Sequence, residues 1–148
     1  MKPRTRARGI ALQALYEIDL TGHTPEEVLS ERLAENVLDA NLVSFIYQIV
    51  QGIWPIVHDL DDIIARHAPE WPLDQVATID RNILRIALWE ITLSNQTPLK
   101  VAINEAVELG KLYGSDSTPR FVNGVLGSLA LHYQELVVDL KTKGKPHP

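Results

Sequence analysis

The chain contains no cysteine. Disulfide bridges and thiolate-ligated zinc are therefore excluded, and the composition fits a reducing compartment. No segment alternates apolar and polar residues between hairpin turns, so strands are not expected. No internal repeat is visible. A GxxxxGK phosphate loop and an HExxH motif are both missing, and nothing calls for a cofactor. Gly124-Val125-Leu126-Gly127 has the GXXG spacing of a KH loop, but its middle is apolar and carries no base. His58 and Asp62 share a helical face at i,i+4 with no third ligand nearby, so no metal site is expected. No signal peptide is expected, because Gln13, Glu17 and Asp19 follow the basic first ten residues. The longest uncharged run, Ala40 to His58, is long enough to span a membrane. Asn41, Ser44, Gln48 and Gln51 recur along it every three or four residues, which makes it amphipathic. A cytoplasmic protein without a membrane partner is expected.

What is present is a chain of 148 residues, 45% of them hydrophobic, enough for one domain or two small subdomains sharing a core. The expected division is a helical domain over 1–140, with subdomains at about 1–72 and 73–140, and a disordered basic tail at 141–148. The net charge of −5 hides an asymmetry. Lys2, Arg4, Arg6 and Arg8 precede every acid, and Lys141, Lys143 and Lys145 follow every acid. Residues 9–140 hold the other seven bases and all nineteen acids, 7 − 19 = −12. A basic arm suits a polyanion such as nucleic acid, whereas the acidic body suits a basic protein.

Helical periodicity accounts for the whole chain. The organising stretch is Val76 to Leu93, free of Gly and Pro and apolar over most of its circumference, as in a central helix with neighbours on several sides. Each fully buried Ile or Leu along it contributes about 1.5–3 kcal/mol. Arg81, Arg85, Thr78 and Thr92 form a polar strip bordered by Asn82 and Trp89. Asp80 and Glu90 project into the apolar arc, where a carboxylate needs a partner. Each is read as a structural ion pair or, for Asp80 especially, as a partner-binding site near the helix start. The other expected helices are about 6–20, ended by Gly22; about 25–36, capped by Thr24 with Pro25 and Glu27; about 40–53; about 55–67, with an Asp62–Arg66 pair; 99–113; and 118–140. Asp74 is expected to cap the central helix. The fold class is all-α, about seven helices in two packed bundles around the central helix.

The segments RTRARGIALQALYEID, IDRNILRIALWE and PLKVAINEAVELGKLYGSDSTPRFVNGVLG, in that order along the chain, resemble the NusB family of bacterial transcription antitermination factors. The resemblance covers about residues 3 to 130. It implies two packed helical bundles without catalytic activity. It also implies binding of single-stranded boxA-like RNA together with a NusE-like small-subunit ribosomal protein. Such a pair would act within the RNA polymerase antitermination complex and promote read-through, chiefly in ribosomal RNA operons. Gly110 departs from the family's usual alanine, which costs about 1 kcal/mol of helix propensity unless a neighbour packs closely there. Trp89 stands where tyrosine is commoner.

Arg4, Arg6 and Arg8 are the expected phosphate ligands, because the guanidinium fork matches phosphate. The heads of Arg4 and Arg8, which point over the apolar face, are expected to overhang the body. Tyr16, on the outward side of the first helix, is the candidate for stacking on a base; a tyrosine at a helix–helix edge is the alternative. Gln13 on the same side is placed with the RNA, and Glu17 with the protein partner. Ser117 and Thr118 open a helix whose free N–H groups favour an anion, and Arg120 adds charge. Arg81 is placed at the RNA edge and Asp80 at the partner. Phe121, Asn123 and Gly124 are read as packing residues. The rival functions are a stand-alone RNA-binding module in ribosomal RNA maturation, a structural homo-oligomer, and a small enzyme using Arg81, Arg85, Asp80 or Glu90 around an internal cleft.

Overall fold

A computed structural model of the chain describes residues 1–94 and 96–143. Asn95 and residues 144–148, most of the expected basic tail, lie outside the described residues.

Eight α-helices and no strand are present among the described residues: α1 (Pro3–Thr21), α2 (Pro25–Ala34), α3 (Ala40–Ile53), α4 (Val57–His67), α5 (Thr78–Trp89), α6 (Leu99–Tyr113), α7 (Thr118–Ala130) and α8 (Tyr133–Lys143). The local signals act as read. Thr24 Oγ1 accepts from Glu27 N at 3.2 Å; Asp39, not singled out from the sequence, also caps α3, its Oδ1 accepting from Leu42 N at 3.0 Å. Gly22 ends α1 at φ 74, the left-handed region.

Three boundaries differ from expectation. With Pro3 in its first turn, α1 begins at once, so the basic residues belong to the helix and not to a free arm. Asp74 lies in a 3-10 turn, Leu73–Gln75, and does not cap α5, whose start has no side-chain cap. The long seventh helix breaks at Leu131 and His132, whose N–H groups turn back to Ser128 and Leu129 O. That turn redirects α8 so that Leu136 and Leu140 reach the core.

The helix α5 is central: it packs against α1, α3, α4, α6 and α7. On one side α1, α2 and α3 pack together; on the other α6, α7 and α8 do, and one hydrophobic core runs through both. Ile83, Leu84, Ile86, Ala87 and Leu88 are buried. After Trp89 the helix widens into a π turn, Glu90–Ser94, and the Thr92 hydroxyl returns to Leu88 O at 2.6 Å. The run Ala40–His67 is long and apolar enough to cross a membrane, but Ile46, Ile49, Ile53, Leu60 and Ile63 are fully buried in this core.

Much of the strip expected to be polar is buried. Asn82 and Arg85 are enclosed, and Trp89 packs on Gly52 of α3. Arg85 binds Asp61 of α4 in bidentate fashion, Nε to Oδ1 at 2.8 Å and Nη2 to Oδ2 at 2.6 Å. Its Nη1 reaches Asp19 Oδ2 of α1 at 2.8 Å. Asp19 Oδ2 also accepts from Asn82 Nδ2 at 3.1 Å and Arg81 Nη2 at 3.2 Å. Burial alone would raise the Asp19 pKa; the Arg85 charge and the three donors outweigh it and hold the carboxyl below its usual value. Burial likewise works against the charge on Arg85, and Asp61 and Asp19 more than restore it.

Candidate nucleic-acid interface

The basic residues of α1 diverge. Arg8 points inward: its Nε donates to Glu90 Oε1 at 2.7 Å, its Nη1 lies 3.5 Å from Glu105 Oε2, and its side chain is 5% exposed. This corrects the expectation that Arg8 is a free phosphate ligand, because its charge is consumed inside the core. Glu90 is thereby the structural ion pair expected of it. Thr5 Oγ1 donates to Glu105 Oε2 at 2.9 Å, so the first turn of α1 is fastened to α6. Arg4 is exposed, with its guanidinium carbon 3.9 Å from the centroid of the Phe45 ring, a cation–π contact on α3. Arg6 is exposed and donates to Asn36 Oδ1 at 3.3 Å.

Arg6 shares its face of α1 with Gln13, Tyr16 and Glu17. Arg32, from α2, donates to Gln13 Oε1 at 3.3 Å and to Glu17 Oε1 at 3.1 Å. Asn36 Nδ2 donates to Arg32 O at 2.7 Å and so links Arg6 to the same network. Tyr16 is 37% exposed beside it.

On the other side of this face, contacts from four helices close a ring. Gly9 of α1 receives the hydroxyl of Tyr113, the last residue of α6, in the space a Cβ would take. At Gly110 a Cβ would meet Thr118 Cγ2 at 3.1 Å and Pro119 N at 3.3 Å. That close approach is the packing reason for glycine where the family usually has alanine. Thr118 is buried, and its hydroxyl donates to Asp80 Oδ1 at 2.9 Å while accepting from Ser115 N at 3.0 Å. Arg81, next to Asp80, returns to Asp19 on α1, one turn after Tyr16.

Two expectations change here. Asp80 has a hydroxyl partner, not a cation, so it is not an ion pair. Thr118 is committed to that carboxylate and cannot meet RNA, and a negative charge already stands at the start of α7. Ser117 and Arg120 remain exposed. Arg81 is paired yet 22% exposed, and its Nε has no hydrogen-bond partner, as is also true of Arg32 Nε.

The sequence reading missed a recess of about 440 Å³ at this edge, lined by Trp71, Val76, Asp80, Ser117 and Phe121 among others. Trp71 and Phe121 meet edge to face, centroids 6.3 Å apart and planes at 82°. Both are half-buried, so each offers ring surface to a flat ligand. Phe121 packs against the core as expected and also lines this recess. Trp71 sits between two prolines, which read only as a stiff turn. Of the set an enzyme would use, Arg81 and Arg85 share Asp19, Glu90 takes Arg8, and Asp80, which takes the Thr118 hydroxyl, lines the recess.

The NusB family model matches residues 5–131. The transcription antitermination protein NusB of Roseiflexus sp. (strain RS-1) is 48% identical over 134 residues, 89% of this chain and 94% of the relative. That of Bacillus pumilus (strain SAFR-032) is 41% identical over 129 residues, 87% and 95% of the two chains. The structure of T. maritima NusB superposes with a TM-score of 0.82 at 31% identity, covering 92% of this chain and 97% of that one. A crystal structure of antitermination factors NusB and NusE with dsRNA contains a chain similar at TM-score 0.81 and 28% identity, covering 90% and 99%.

Proposed function

The chain belongs to the NusB family, and on that premise we propose that it is a cytoplasmic transcription antitermination factor. It binds boxA-type single-stranded RNA together with a NusE-like ribosomal protein and promotes read-through by RNA polymerase, chiefly in ribosomal RNA operons. The observation that carries this reading is the set of contacts Gly9–Tyr113, Gly110–Thr118, Thr118–Asp80 and Arg81–Asp19. It joins α5, α6 and α7 to the stretch of α1, Gly9 to Asp19, that carries Gln13 and Tyr16. Arg4, Arg6 and Arg120 supply exposed charge for phosphates; Tyr16, with Trp71 and Phe121 in the recess, supplies rings for unpaired bases. Asp80 and Glu17 flank this surface and are assigned to the protein partner, with Arg81 between partner and RNA.

The acidic surface explains why two partners are needed. Glu26, Glu27 and Glu31 on α2, and Glu35 and Asp39 after it, are all exposed. They repel RNA over roughly a Debye length, about 8 Å at physiological salt. A basic partner docked on the body cancels that repulsion. Each ligand then strengthens the other by the same factor, a coupling of about 1–3 kcal/mol. Calorimetric titration of a boxA-like RNA, with and without saturating NusE-like protein at two salt concentrations, tests this. Equal RNA affinity in both cases eliminates the two-partner mechanism; failure to bind RNA in either eliminates the proposal; preference for a duplex of the same sequence eliminates its single-strand element.

A further inference from the structure

We propose that His67, His132 and Glu135 form a binding site for one zinc-class divalent cation, on a part of the molecule that the RNA and protein surfaces above do not use. His67 is the last residue of α4, His132 lies in the break between α7 and α8, and Glu135 is in the first turn of α8. One nitrogen from each imidazole and one carboxylate oxygen all lie within 4.8 Å of one another. The two imidazoles are 5.0 Å apart between centroids and tilted by 44°, so they are not stacked. His132 and Glu135, three residues apart, face the same way, with Nδ1 and Oε2 separated by 3.8 Å.

Two neutral imidazoles and a carboxylate match zinc and its late first-row neighbours; calcium and magnesium require oxygen shells. Zinc holds such ligands at about 2.0–2.2 Å in a tetrahedron. Closing the three donors on one ion therefore needs side-chain rotations of about an ångström. His132 and Glu135 are exposed and free to make them. No other bond opposes the move: apart from the 3.8 Å approach, the three side chains have no ionic or hydrogen-bonded partner among the described residues. The neighbouring Arg66 is turned to Asp139, at 3.5 Å. A recess of about 460 Å³, lined by Arg66, His67, Gln134, Glu135, Val138 and Asp139, gives the ion an entry path and room for water as fourth ligand. The bound ion would clip the end of α4 to the start of α8, two helices 65 residues apart at His67 and His132 (132 − 67).

The test is calorimetric titration of the chelator-treated full chain with Zn²⁺, followed by melting with and without the ion. One saturating equivalent and a higher Tm are expected, since a ligand of the native state alone stabilises it. Co²⁺ in place of Zn²⁺ should give the visible absorption of a four-coordinate site. His67→Ala, His132→Ala and Glu135→Gln should each weaken Zn²⁺ binding by about tenfold or more, and His58→Ala, elsewhere on α4, should leave it unchanged. Circular dichroism establishes that each variant is folded; Glu135→Gln changes only an exposed side chain. No saturable binding by the unmodified protein, or unchanged affinity in His67→Ala and Glu135→Gln, overturns the proposal.

Discussion

Arg8 Nε donates to Glu90 Oε1 at 2.7 Å with side-chain exposures of 5% and 2%, so the first helix of the chain is locked to the end of the central one by an enclosed ion pair. Removing one partner strands the other charge. Arg8→Ala or Glu90→Leu alone should cost about 3–5 kcal/mol, and Arg8→Met with Glu90→Leu should recover most of that loss. Urea unfolding of the two single variants and the pair measures it. Deleting residues 1–8 should likewise unfold or strongly weaken the protein, which a dispensable basic arm would not do.

RNA affinity must then be probed by point changes. Arg6→Ala and Tyr16→Ala should weaken RNA binding while leaving Tm almost unchanged, because both side chains are exposed. With Arg8 consumed internally, two or three phosphates are neutralised from α1. The slope of log K against log salt should be about −1.4 to −2 for a single strand. Anisotropy titrations at several salt concentrations give the slope; a slope near zero would remove α1 from the interface.

Asp19 predicts the acid limb of stability. Its folded pKa lies below the usual 3.8, so its contribution is fully present above that value and is lost as pH falls through the lower folded pKa. Asp19→Asn should lower stability at neutral pH by about 1.5–3 kcal/mol, the range for hydrogen bonds to a charged group. It should also flatten the loss between neutral pH and the acid limb. Denaturant midpoints collected across that range decide the matter; parallel curves for the two proteins would mean that other carboxylates dominate.

Gly52 and Trp89 form a size-matched pair. A Cβ at Gly52 would stand 2.6 Å from Trp89 Nε1, and the indole is buried without room to retreat. Gly52→Ala should therefore destabilise by about 1–3 kcal/mol, although alanine is the better helix former by about 1 kcal/mol. A smaller ring, Trp89→Phe, should rescue it, and a double-mutant cycle by thermal melting reads the coupling.

Much of the fold is local information and was legible. The Thr24 cap, Pro25, and the apolar faces of 40–53 and 99–113 specify helices with no reference to distant residues. The buried polar network was not, because its members are paired across the fold. Arg85 reads as exposed on a helical wheel until Asp61 and Asp19, 24 and 66 residues earlier, are brought to it. Arg8 was misplaced for the same reason: nothing near it in sequence marks Glu90 as its partner. Of the candidate interface, Arg6, Gln13, Tyr16 and Glu17 were found by their common outward face. Arg32 was not, since only packing sets it beside that face, nor was Trp71, since only packing brings it to Phe121 and Asp80. The break at Leu131 carries no glycine or proline, and it is made by the docking of Leu136 and Leu140.

The anchoring of α1 also sets an order of events during synthesis. Thr5 and Arg8 leave the ribosome well before their partners: Glu90 follows Arg8 by 82 residues and Glu105 follows Thr5 by 100. Until those carboxylates emerge, docking the first turn would bury an unpaired arginine, which is costly. The start of α1 is thus made well before it can settle. While it waits, its positive charge is open to any polyanion within reach.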